Sequence, residues 1–259
     1  SDIAKQAMMQ PQEAMLELRN KKNNLYIGIP KETSFQENRI ALTPLSVGLL
    51  VQNGHEVVIE AGAGLAANFK DNHYSEQGAQ IVYDKKEVYK ADLIIKIAPP
   101  TQDEVEMMKM GQVLFSALQM STIKAEFLKS LMKKNITALS FEYLRDEGNV
   151  LSVVRAMSEI VGATSVLIAA EYLSNVFEGK GLMLGGITGV PPTEIVILGA
   201  GTVGEYAART AIALGAEVKV FDSSIYRLRR LQNNIGSRVF TSVIQPVVLQ
   251  KAICSCDVA

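Results

Sequence analysis

Tryptophan is absent from the 259 residues, and cysteine and histidine occur only twice each. Cys254 and Cys256 are too close in sequence for a comfortable disulfide, and no second pair exists to complete a metal site. A disulfide scaffold and a cysteine–histidine zinc site are thereby excluded, no metal is expected, and the two thiols read as reduced groups of a cytoplasmic protein. Neither sign of charge prevails: Lys plus Arg is 26 against 27 for Asp plus Glu, a formal charge of −1. No global field would gather nucleic acid or an anionic membrane, which leaves small neutral or anionic ligands as the expected partners. Long apolar runs are missing too. The longest, Ile160 to Ala170, is bounded by Glu159 and Glu171 and falls short of the roughly 20 residues that span a bilayer, so it reads as a buried helix segment. The opening "SDIAKQAMMQPQEAMLELRNKK" lacks the apolar core and small-residue cleavage site of a secretory signal. Residues 1–24 read as a polar extension, helical after Pro11.

What is present is an ordinary globular composition, 48% hydrophobic and 20% charged. A chain of this length buries roughly three quarters of its unfolded surface and has room for about two domains. From Leu25 onward, short β-rich runs alternate with helix-like ones. "LYIGIP" precedes "TPLSVGLLVQNG", in which Thr43 can cap the helix, Pro44 suits its first turn and Gly54 its stop. Further strands are expected at "EVVIEAG", "AQIVY", "LIIKIA", "VLFSAL" and "ITALSFE", with helices between them such as "KAEFLKSLMKKN". Such alternation predicts an α/β fold whose parallel sheet is covered on both faces. The run "MSEIVGATSVLIAAEYLSNVF" is apolar all round and predicts a buried helix, about residues 156–177, bridging two domains at 25–152 and 153–259.

Two glycine-rich segments compete as phosphate-binding loops. "GAGLAA", Gly62 to Ala67, follows a strand and has Asp84 22 residues on, but "NFKDNHYSEQGA" after it has no apolar stripe, so it reads as a structural turn. "TEIVILGAGTVGEYAARTAIALGAEVKVFD" reads instead as strand, tight turn, helix and strand, with Ala207, Ala208, Ala211, Ile212 and Leu214 on the packing face of the helix. Gly199 permits the turn, Gly201 lets a pyrophosphate approach the backbone, and Gly204 lets helix and strand close together. The amides of Ala200, Thr202 and Val203 complete a ring of donors at the helix start. Asp222, 23 residues after Gly199, can accept both ribose hydroxyls and repel a 2′-phosphate, which favours NAD over NADP. Arg227, Arg229 and Arg230 are a cationic counterweight in the next helix.

Together, "IGIPKE", "ENRIALTP", "GHEVVIEAGAG", "AMSEIVG", "GGITGVPP" and "VILGAGTVGEYAAR" resemble the family of alanine dehydrogenase and the NAD(H)-binding alpha subunit of nicotinamide nucleotide transhydrogenase. The resemblance runs from about Leu25 to the last residue. It implies two Rossmann-like domains with a cleft between them, an oligomer, and a chain that continues past Ala259 to complete the second sheet.

For the site, the resemblance carries the family's carboxylate-binding arginine onto Arg39 and its cofactor-approaching "MSE" segment onto Ser158. It also exposes departures. Where alanine dehydrogenases have a second lysine two residues after the first, this chain has Lys96 followed by Ala98; where they have a histidine, it has Gln119, which cannot titrate. Lys96 and Ala98 would share a face of a strand about 6.6 Å apart, so Lys96 and Glu142 come under consideration as replacement proton carriers. His55 and His73 read as satisfied surface residues. Three functions follow from the resemblance: an NAD-dependent amino-acid oxidoreductase of the alanine dehydrogenase type, a transhydrogenase-like NAD(H)-binding module, or a non-catalytic NAD(H)-sensing protein.

Overall fold

The computed structural model describes residues 24–259; the polar extension read from the sequence lies outside them, apart from Asn24. The described residues divide into two compact units, the first ending at Tyr143 and the second running Leu144–Ala259, where the sequence reading placed the change of domain at 152–153.

The first unit is built on β1 (Tyr26–Ile29), α1 (Pro44–Gln52), β2 (Glu56–Glu60), α2 (Asp71–Ser75), β3 (Gln80–Val82), α3 (Lys85–Val88), β4 (Leu93–Ile95), α4 (Gln102–Met107), β5 (Val113–Ser116), α5 (Ala125–Lys133) and β6 (Thr137–Ser140). Its strands form one parallel sheet in the order β3-β2-β1-β4-β5-β6, a doubly wound arrangement that changes direction between β1 and β4. Strand alternation explains why both faces are covered. Val57 and Ile59 point into one core with Val47 and Tyr74, while Val58 points into the other with Ile94 and Leu114. The start signals of α1 work as read: Thr43 Oγ1 accepts from the Ser46 amide, and Pro44 occupies the first turn.

The second unit opens with α6 (Ser152–Leu173), followed by β7 (Glu194–Leu198), α7 (Thr202–Ala213), β8 (Glu217–Asp222), α8 (Ile225–Ile235), β9 (Phe240–Val243) and α9 (Pro246–Ser255). The bridging helix starts and stops earlier than 156–177. Its end is set by Ser174, which turns extended and accepts from the Val176 amide to open a short 3-10 turn at Asn175–Phe177. The expectation that α6 is buried all round is also corrected. Gly162, Val166 and Leu173 are buried, whereas Ile160, Val161, Leu167, Ile168 and Tyr172 are exposed. The reason is a one-sided contact: α6 packs along α7, so closely at Gly162 that an added Cβ would overlap the Val203 carbonyl oxygen and lie 2.8 Å from Tyr206 Cβ. Taken whole, α6 is long and apolar enough to cross a membrane by length and composition, although Arg155, Glu159 and Glu171 lie along it.

Strands β7, β8 and β9 lie parallel in the order β7-β8-β9. On the far side of β7, Val258 makes a parallel bridge to Ile195, with the Val196 amide donating to its carbonyl at 2.9 Å. This is the 3-2-1-4 start of a nucleotide-binding sheet. Ala207, Ala208 and Ala211 of α7 are buried against one face, and Ala252 of α9 packs with Val196 and Phe221 on the other. Ile212 is half-buried, while Leu214, expected on the packing face, is the C-cap and is exposed.

Candidate nucleotide and substrate sites

The two glycine segments separate cleanly in three dimensions. At Gly62–Ala67 the chain closes on itself: the Gly62 amide donates to Asp71 Oδ1 at 2.8 Å and Leu65–Ala67 makes one 3-10 turn. Asp84 has its own task, accepting from the Lys86 amide as the cap of α3. This is a structural turn, as the missing apolar stripe implied.

At Gly199–Gly204, each glycine has a distinct physical reason. Gly199 has φ +110°, a left-handed backbone that only glycine adopts readily. Gly204 has no room for a side chain, since an added Cβ would overlap the Gly199 carbonyl oxygen and lie 3.0 Å from its carbon. Gly201 is the opposite case, with nothing within 4 Å of an added Cβ. Packing therefore requires glycine at 204 but leaves 201 facing open space, as a backbone that receives a ligand should. Gly201 caps α7 without a side-chain hydrogen bond, and the amides of the first turn of a helix have no partner within it. They face a depression of about 650 Å³ lined by Ser158, Gly199, Gly201, Thr202, Val203 and Arg227. Open backbone donors at the positive end of a helix dipole suit the diphosphate of a dinucleotide.

Ala200 is fully buried, and its amide is taken by Asp222, whose Oδ2 accepts it at 2.7 Å while Oδ1 accepts from Ser224 at 2.7 Å. Asp222 therefore braces the glycine turn from below in addition to any role toward a sugar. Its carboxylate has lone pairs beyond these two bonds. Hydrogen bonds from Ala200 and Ser224 hold the Asp222 carboxyl below its ordinary value, the nearby Arg227 and Arg230 adding to the effect against a smaller opposing effect of burial. A carboxyl with a lowered folded-state pKa contributes stability at pH values above the unfolded value of about 3.9, and that contribution is lost as the pH falls through the folded value. Asp222→Asn is expected to flatten the acid limb of a plot of thermal midpoint against pH; an acid limb unchanged in slope would show that this carboxylate is not a stabilising anion.

Arg227 lies with its guanidinium 3.9 Å from Asp222 Oδ2 and is largely exposed. Arg230, read from the sequence as part of a cationic counterweight, donates to the Ala200 carbonyl at 3.3 Å. Ser158 on α6 borders the same depression, its hydroxyl donating to the Val154 carbonyl and its oxygen free to accept. Sequence reading gave no weight to Gly162, the residue that lets α6 come close enough to bring Ser158 there. The signal was a glycine inside an otherwise helical pattern.

In the first unit, the residues nominated for chemistry are held very differently from one another. Arg39 forms a two-point fork with Glu37, Nε to Oε1 at 2.8 Å and NH2 to Oε2 at 2.6 Å, and is about half exposed. Lys96 is fully buried: its Nζ donates to Glu104 Oε2 at 2.8 Å and lies 3.5 Å from Glu32 Oε2. Glu104 also receives Lys85 at 2.6 Å and the Thr101 amide at 2.9 Å. This chain of four charges, buried except at Lys85, was not legible in the sequence, because Glu32, Lys85, Lys96 and Glu104 converge only through the sheet. Gln119 is exposed just beyond β5, in the left-handed region at φ +48°. Glu142 accepts from the Leu118 and Gln119 amides and from Ser140 Oγ. His55 and His73 each accept a backbone amide through Nδ1, from Leu25 and Lys70 respectively, the satisfied surface roles expected. Among the described residues no cluster of His, Cys, Asp and Glu could hold a metal.

Comparison with known proteins agrees with this organisation. Residues 28–161 match the family described as alanine dehydrogenase/PNT, N-terminal domain, and residues 165–259 match its C-terminal domain. The alanine dehydrogenase of Bacillus subtilis is 37% identical over 233 residues, covering 90% of this chain and 61% of that protein. That of Methanococcus maripaludis is 39% identical over 234 residues, covering 90% and 62%. Among solved structures, an L-alanine dehydrogenase superposes with a TM-score of 0.82 at 37% identity, covering 89% of this chain and 63% of that one. A transhydrogenase from Sinorhizobium meliloti superposes with a TM-score of 0.72 at 26% identity, covering 87% and 63%. The chain thus spans a little over three fifths of the length of these relatives. With both domain models matched in order along a doubly wound first sheet and a glycine turn shaped for a diphosphate, the chain belongs to the alanine dehydrogenase/PNT family.

Proposed function

We propose that the polypeptide is an NAD-dependent amino-acid oxidoreductase of the alanine dehydrogenase type, interconverting alanine, NAD and water with pyruvate, ammonium, NADH and a proton. The observation that carries the reading is the contrast within one turn, where Gly204 is obliged by packing and Gly201 faces open space. When bound, the nicotinamide ring supplies the hydride acceptor. The chain's own residues then have separable tasks. The amides of Gly201, Thr202, Val203 and Gly204 at the start of α7 orient the diphosphate, with Gly199 setting the turn; the Ala200 amide, expected from the sequence to join them, is committed to Asp222. Asp222 receives the adenosine ribose and repels a 2′-phosphate, Arg227 lies at its side, and Ser158 closes the edge of the depression. Arg39, released from Glu37, holds the substrate carboxylate through its planar fork. Gln119 donates a hydrogen bond to the substrate carbonyl. Lys96, sealed between two carboxylates, positions the end of β4.

A second reading draws on that same burial. Ala98 and Gln119 stand at the positions where the family resemblance places a lysine and a histidine, and Lys96 is held by Glu32 and Glu104, so among the described residues neither of those two positions carries a titrating side chain. That favours a transhydrogenase-like NAD(H)-binding module. Calorimetry with NADH tests what the two readings share: wild type is expected to bind, and Gly201→Val to keep its thermal midpoint while losing about tenfold or more in affinity. Equal affinity in Gly201→Val would remove the glycine turn from the site. Oxidation of NADH dependent on pyruvate and ammonia, measured on the complete polypeptide, separates them: turnover supports the dehydrogenase, and binding without turnover supports the module.

A further inference from the structure

Glu142 lies in the 3-10 turn Phe141–Tyr143, immediately after β6. A single oxygen of its side chain, Oε2, accepts from the Leu118 amide at 3.0 Å, the Gln119 amide at 2.9 Å and Ser140 Oγ at 3.0 Å. Glu142 is thereby tied to the segment leaving β5, on the neighbouring strand of the sheet. The residue it grips is unusual. Gln119 is neither glycine nor asparagine, yet its backbone stands at φ +48°, a conformation that costs an ordinary side chain free energy unless the surroundings impose it. Its carbonyl is also tied down, accepting from the Thr122 amide at 2.9 Å and from Thr122 Oγ1 at 3.2 Å. Backbone bonds therefore fix Gln119 on both sides. Its carboxamide makes no hydrogen bond among the described residues and is exposed at the carboxyl edge of the parallel sheet, the edge at which α/β proteins bind ligands.

We infer that Glu142 is a positioning residue: it holds Gln119 in the left-handed conformation so that the carboxamide is presented to the carbonyl oxygen of a 2-oxo acid. The inference rests on the dehydrogenase reading above and deepens it by naming what sets the geometry of the donor. The carboxylate suits the task because a charged acceptor holds several N–H and O–H donors more strongly than a neutral one. Glu142→Gln keeps the shape and removes the charge.

The test is a double-mutant cycle in the complete polypeptide, using pyruvate, ammonia and NADH. Glu142→Gln is expected to lower kcat/KM for pyruvate about tenfold, the worth of a charge-assisted hydrogen bond, while leaving the NADH dissociation constant unchanged. Gln119→Gly adopts the left-handed backbone freely and has no carboxamide, so adding Glu142→Gln to it is expected to change kcat/KM no further. A carboxylate that merely steadied the fold would lower the thermal midpoint and reduce kcat/KM by the same factor in both backgrounds, and that result would overturn the inference. So would an unchanged kcat/KM in Glu142→Gln. If wild type binds NADH but turns over no pyruvate, the dehydrogenase reading and this inference fall together; if wild type turns over and the cycle shows no coupling, only the inference falls.

Discussion

Gly204→Ala is expected to lose NADH binding and roughly 3 kcal/mol of stability, the upper part of the range for forcing a methyl group into packed surroundings. The clash is with backbone. An alanine Cβ at this position would overlap the Gly199 carbonyl oxygen, lie 3.0 Å from the Gly199 carbon and meet Ile197 Cγ2 at 3.4 Å. No side-chain rotation relieves such a contact, so α7 must shift away from β7. The shift would drag the first-turn amides off the depression they line. Urea unfolding gives the stability change and calorimetry the binding. Comparison with Gly201 is what makes the prediction sharp, because there an added Cβ meets nothing and the fold should tolerate the change. If Gly204→Ala were as stable as wild type, helix and strand would not be packed as closely as the geometry requires.

Glu104→Ala should be comparably damaging to the first unit, through electrostatics. It leaves Lys96, which is fully buried, with only Glu32 at 3.5 Å, and strips Lys85 of its partner. It also removes half of the capping box of α4, since Glu104 Oε2 accepts the Thr101 amide while Thr101 Oγ1 accepts the Glu104 amide. Breaking a buried pair by deleting one member costs about 3–5 kcal/mol, because the remaining charge has no solvent to turn to. The expected result is a fall of that size in urea unfolding, with Glu104→Gln intermediate. A second signature is pH. Burial pushes Glu104 up, but hydrogen bonds from Lys85 and Lys96 outweigh it and hold the carboxyl below its ordinary value. Its contribution is therefore present at neutral pH and is lost as the pH falls through the folded value. Glu32 runs the other way: burial raises it against the opposing pull of Lys96, so it resists ionisation as the pH rises. A loss below 1 kcal/mol for Glu104→Ala would mean that the network is solvated.

How much of this was legible in the sequence depended on whether the cause was local. Strand runs, the cap at Thr43 and the two glycine turns are decided within a dozen residues, and reading them by period and punctuation placed them correctly. Rejecting Gly62–Ala67 worked for a physical reason, because a phosphate loop needs a helix behind it and the residues that follow lack an apolar stripe. The extent of α6 was misjudged at both ends, since Ser174 stops it by turning extended, a tertiary choice that propensity does not specify. Its burial was misjudged because an all-round apolar pattern says that partners are wanted and does not say how many are met. The buried pairing of Lys96 was invisible for another reason: Glu32 and Glu104 reach it from the segment after β1 and from α4, and nothing in their spacing links them. Gln119 was noticed for what it lacks, a titrating group, while its left-handed backbone and its carboxylate clamp became apparent only in three dimensions.

The bond from the Ala200 amide to Asp222 has a thermodynamic corollary for ligand fragments. One carboxylate underpins the bend proposed to cradle the diphosphate and, on the function proposed above, also receives the adenosine ribose, so the two parts are not independent contributors to affinity. Adenosine alone and pyrophosphate alone should bind with free energies that do not sum to that of the joined molecule, and a substitution at Asp222 should erase the discrepancy along with the affinity.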